Sequence, residues 1–153
     1  MTPTLSGRIQ TRLALTLTVG VVVTLMVTPF LPYNTYFSRT RHQALPGAYL
    51  ITFASLGLVA AVGVVWELIY HGLQQLRWDK DWPSPLGILT GLNESIVVYV
   101  MIRWFGPRPH WTGMPPSAFL LHFYAVWLAV FFTANGPMRV LLIRWRYRGG
   151  RIV

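Results

Sequence analysis

A chain of 153 residues that is 54% hydrophobic and only 11% charged has too little polar sequence to solvate a globule around so much apolar material. A lipid-facing surface removes that conflict. The net charge of +9 falls between and beyond the apolar runs rather than along one groove, so a nucleic-acid partner is not expected. The absence of cysteine excludes disulfides, thiolate metal sites and cysteine nucleophiles. The expected fold is an all-α integral membrane protein in one domain, 1–153. Four transmembrane helices form two hairpins, with a short interfacial helix between spans 2 and 3 and a basic C-terminal tail.

The first apolar run, 13–31, carries no charge and follows Arg8 and Arg12. At about 1.5 Å per residue it covers a hydrocarbon core of roughly 30 Å. A cleaved signal peptide is the competing reading, but the run is long for one and offers no small-x-small cleavage site before Pro29 and Pro32. The second span, 47–70, opens at Pro46-Gly47. Its Ala54, Gly57 and Ala61 mark a packing seam, because small residues allow close helix approach in lipid. The third, 85–105, is interrupted at its middle by Asn93, Glu94 and Ser95. The fourth, 117–135, meets Gly136-Pro137, where proline's missing donor stops or kinks the helix. The tail occupies 136–153.

Orientation follows from the Lys and Arg residues in short flanks. The N-terminus, the 71–84 connection and the tail hold nine, namely Arg8, Arg12, Arg77, Lys80, Arg139, Arg144, Arg146, Arg148 and Arg151. The opposite side holds four, Arg39, Arg41, Arg103 and Arg108. Both termini are therefore expected in the cytoplasm of a multi-pass protein of the cell inner membrane. The preference for arginine over lysine hints at a GC-rich, bacterial genome.

Glu94 is the most informative residue. Nine residues from Pro85 place it about 13 Å into the membrane, where a carboxylate costs about 2.5–3.5 kcal/mol. Protonation or a hydrogen-bonded partner must compensate. His122, some five residues inside the opposite end of the antiparallel fourth span, is the expected partner. The pair reads either as a proton site or as a structural clamp. Asn93 points about 100° away from Glu94 and is expected to bond Asn135 or a backbone carbonyl. Glu67 and His71 share a helix face at a spacing that lets both reach one metal ion. Two ligands do not make a metal site, however, and Arg77 or Arg139 is an available partner for Glu67. One membrane-embedded histidine does not supply paired haem ligands, so no cofactor is expected.

Two segments suit docking. Trp78 and Trp82 bracket Asp79, Lys80 and Asp81, as in a short interfacial helix. Arg139, Arg144, Arg146, Arg148 and Arg151 gather around Trp145 and Tyr147, where anionic lipid headgroups contribute about 1 kcal/mol per arginine. Gly149-Gly150 frees the last residues to reach a partner.

The sequence has no phosphate-binding glycine loop, no G-x-S-x-G, no zincin motif and no acid cluster for two metals. The expectation is a small non-catalytic accessory or structural subunit of a larger membrane complex, with other membrane subunits as partners and a homo-oligomer admissible. The alternative is an oligomeric ion- or proton-conducting component that uses Glu94. A third reading, an outward-facing enzyme using His42, His110 or Arg108, has the least support, because the outer loops contain no acid.

Overall fold

The Thr4 side chain accepts a hydrogen bond from the Gly7 N–H at 3.2 Å, and this N-cap starts α1 at Leu5, eight residues before the charge-free run. Helix α1 (Leu5–Leu15) passes into a π-helical turn, Thr16–Gly20, then into α2 (Val21–Val27) and a 3-10 turn at Thr28–Phe30. Arg8 and Arg12 thus lie inside the first helix and do not flank it. The computed structural model describes residues 4–32, 41–76, 84–105, 114–148 and 151–152, and their regular structure is all helical.

Helix α3 (Arg41–Gln75) begins ahead of Pro46 and contains it. Proline in the second turn forgoes one backbone bond, which the remainder of a 35-residue helix tolerates. Helix α4 covers Ser84–Phe105, and α5 covers Pro116–Asn135 with proline at its first position, where the missing N–H is harmless. The expected break follows: Gly136 leaves helical geometry (φ −105°, ψ −96°), and α6 (Pro137–Leu141) and α7 (Ile143–Tyr147) continue as short helices. The interfacial segment with Trp78 and Trp82 lies outside the described residues, as do Arg108 and His110.

Among the described residues, three stretches are long and apolar enough to cross a membrane: Leu5–Phe30, Leu45–Gln75 and Pro116–Leu141. Helix α4 is not among them. Within its 22 residues it carries Glu94 and Arg103. Large apolar side chains such as Leu17, Met26, Ile96 and Phe132 point outward, as a lipid-facing surface requires.

Contacts run in opposite residue order between neighbouring helices. The first helix pairs Arg8 with Glu67 and Thr28 with Thr52 on α3. On the C-terminal helices its Thr11 meets Trp145 and its Thr24 meets His122. Along the α4–α5 contact Ser95 faces Tyr124 and Tyr99 faces Phe119. Close approach depends on three glycines. A Cβ on Gly20 would lie 3.1 Å from Leu56, one on Gly91 2.7 Å from the Trp127 ring, and one on Gly63 2.1 Å from Arg12 Nε. The seam expected from Gly57 and Ala61 is not used inside the bundle. Both residues are exposed on the outside of α3, and a Cβ on Gly57 would meet nothing within 4 Å.

Apolar and polar packing segregate along the bundle. Leu31, Ile51, Val98, Ile102, Met114, Phe119 and Phe123 form the hydrophobic core at the end remote from the two termini. The ion-paired side chains, Arg8, Arg12, Glu67 and Glu94, gather toward the other end.

Candidate functional site

Glu67 on α3 and Glu94 on α4 converge on the first helix. Arg8 Nε donates to Glu67 Oε2 at 2.7 Å, and its Nη1 donates to Gln74 Oε1 at 2.6 Å. Arg12 bridges both acids: Nη1 is 3.4 Å from Glu67 Oε1, and Nη2 donates to Glu94 Oε1. The Glu94 side chain is only 2% exposed, against 18% for Arg12. Two guanidinium groups and two carboxylates therefore close a network with no net charge. Arg12 reaches Glu94 by lying across Gly63, the one position on that stretch of α3 where the absent side chain leaves room. A charge that enters lipid must be paired, and a long arginine stem can carry its head to the partner.

The sequence-based pairing of Glu94 with His122 is not what forms. His122 Nε2 lies 3.0 Å from the Thr24 hydroxyl, and Thr24 follows Arg12 by twelve residues on the same helix, a rise of roughly 18 Å. The α4–α5 contacts set Glu94, beside Ser95, near the level of Tyr124 and so within about a turn of His122; depth does not separate the two groups, and each is taken by a different residue of the first helix. The partner of His122 belongs to a buried threonine ladder. Thr28 Oγ1 donates to the Thr24 carbonyl at 2.6 Å and sits 3.0 Å from Thr52 Oγ1. Thr24, Thr28 and Thr52 are all completely buried. The stripe Thr16, Gly20, Thr24, Thr28, at intervals of four, was legible as one helix face but hidden within an otherwise apolar run.

No family model, curated protein or solved structure matches this chain. Its chemistry is therefore read from its own residues.

The remaining candidates scatter. Glu67 is engaged by two arginines, and His71 Nε2 lies 3.2 Å from Gln75 Nε2, so the Glu67–His71 pair is divided between other partners. Among the described residues no three His, Asp or Glu side chains gather in a way that could hold a metal ion. Asn93 is exposed beside buried Glu94, and Asn135 Nδ2 donates to the Phe131 carbonyl at 2.9 Å within its own helix. Arg139, Arg144, Arg148 and Arg151 are exposed, whereas the Arg146 side chain lies outside what is described. The tail does not swing free. Trp145 Nε1 donates to Thr11 Oγ1 at 2.7 Å, and the Ile152 N–H donates to Gln10 Oε1 at 3.2 Å, fastening it along α1.

Between the first helix, α3 and α5 lies a cavity of about 380 Å³. Arg8, Arg12 and Glu67 border it, Leu56, Val126 and Trp127 form apolar wall, and His122 reaches it as well. His122 is 1% exposed, and its Nδ1 has no hydrogen-bond partner.

Proposed function

We propose that this chain is a small non-catalytic subunit of a larger membrane assembly, with α4 as a fourth span and both termini in the cytoplasm. The observation that carries the reading is the closure of the charge network. Glu94, the group on which ion or proton conduction would depend, is held by Arg12, while Glu67 is held by Arg8 and Arg12. Buried, mutually neutralised charges fix the register of helices, which is the clamp role of Glu94. Helix α4 enters the membrane readily in this arrangement, because its carboxylate arrives already paired.

The outer face of α3 supports a protein neighbour. Gly57 and Ala61 lie four apart and point away from the bundle, so a second helix can approach the backbone there. The exposed arginines of the tail, fastened beside the N-terminal end of α1, favour the cytoplasmic leaflet and its anionic lipid.

Extraction of the full-length protein from its native membrane in mild detergent, with and without Gly57→Leu, tests the proposal. The wild type is expected to retain specific companion proteins at defined stoichiometry, and the variant, folded to the same extent, to lose them. A wild-type protein that purifies alone, or unchanged companions in the variant, would refute it. A bacterial preparation labelled from outside with membrane-impermeant reagents should leave cysteines introduced near either terminus unmodified.

A further inference from the structure

We propose that the cavity between the first helix, α3 and α5 binds the flat, uncharged ring of a quinone or quinol, with an edge oxygen of that ring bonded to His122. Four observations lead there, and they do not depend on the subunit reading.

The first is size. About 380 Å³ lies within the range of small-molecule pockets and suits a substituted six-membered ring. The second is charge. Arg8 and Arg12 border the cavity but are neutralised by Glu67 and Glu94, so nothing in it selects an anion or a cation. The third is the wall. Phe123, Trp127 and Phe131 present aromatic rings, of which Trp127 and Phe131 stack with centroids 5.1 Å apart and planes within 10°. Such surfaces accept another flat ring.

The fourth is His122. It is 1% exposed, borders the cavity, and leaves Nδ1 unpartnered while Nε2 meets Thr24. Nδ1 has almost no accessible surface, so a ligand oxygen reaches it only as the His122 ring shifts toward the cavity; the bond then removes the standing cost of an orphaned nitrogen in apolar surroundings. When the Thr24 hydroxyl donates to Nε2, Nδ1 carries the proton and meets a quinone carbonyl. When Nε2 donates to Thr24, Nδ1 accepts from a quinol hydroxyl. One head group in its two oxidation states therefore serves both tautomers, which an ester or ether oxygen does not. The π-helical turn Thr16–Gly20 lies on the same wall through Thr16, and π turns recur at functional sites because the extra residue loosens the backbone ladder.

The test uses the full chain in phosphatidylcholine nanodiscs and an azido-benzoquinone carrying one isoprenoid unit as the probe. Photolabelling is expected to saturate, to map to α5 around His122–Trp127, and to be displaced by the unmodified benzoquinone but not by a saturated alcohol of matching length. His122→Ala is expected to weaken binding about tenfold, as loss of a buried hydrogen bond does. Val130→Phe, which puts a ring into the space a bound head group would take and leaves the His122–Thr24 pair in place, is expected to abolish saturable labelling, and it keeps the test decisive should His122→Ala fail to fold. Non-saturable labelling, labelling on other helices, equal displacement by the alcohol, or binding indifferent to Val130→Phe would overturn the proposal.

Discussion

Arg12→Met separates a clamp from a bystander. The substitution keeps the long apolar stem but removes the charge that faces Glu94, whose side chain is 2% exposed, while Glu67 keeps its 2.7 Å bond from Arg8. Removing one partner of a buried pair costs about 3–5 kcal/mol. Two features pull the figure toward the lower end. Arg12 is itself 18% exposed, and a stranded carboxyl can escape by taking up a proton, at a cost near 4 kcal/mol for an ordinary carboxyl at pH 7. The expected loss is about 3 kcal/mol. It is measured by equilibrium unfolding of the purified protein in mixed micelles with increasing denaturing detergent. Glu94→Gln in the Arg12→Met background is expected to recover most of it, because a neutral amide carries no uncompensated charge. A loss below about 1 kcal/mol, or a double variant as unstable as the sum of the singles, would refute the clamp.

Gly63→Ala places a methyl group 2.1 Å from Arg12 Nε and displaces the guanidinium from both acids, so it should destabilise by a similar amount and add little to Arg12→Met in a double-mutant cycle. Gly91→Ala drives a Cβ to 2.7 Å from the Trp127 ring, an overpacking loss of about 1–3 kcal/mol, which Trp127→Leu should relieve in the same unfolding assay. Thr24→Val removes the 3.0 Å partner of His122 Nε2, leaving both ring nitrogens unbonded; interhelical bonds in membranes are modest, so about 1 kcal/mol is expected from thermal melts. Trp145→Phe removes the 2.7 Å bond to Thr11, and trypsin cleavage after Arg144 and Arg148 should accelerate while the bundle's own melting barely changes.

Composition and run length by themselves determined that this is a helical chain with stretches long and apolar enough to cross a membrane, where those stretches lie, and that the last of them breaks at Gly136-Pro137. These are one-dimensional properties. A stretch of apolar residues must satisfy its own backbone in lipid, and a helix does so without reference to any neighbour. The sequence also singled out Glu94 as a buried charge needing compensation. The identity of the compensating group was decided only by the tertiary structure, because it depends on where each helix begins and on what its neighbours leave open. The Thr4 cap moved the start of the first helix and carried Arg12 inward, and Gly63 opened the path across α3. Glu94 thus takes Arg12 and His122 takes Thr24, although the α4–α5 contacts set the two at similar depth. Which glycines serve internal packing was settled in the same way. Gly20, Gly63 and Gly91 face other helices and Gly57 faces outward, a distinction set by rotation of each helix about its axis.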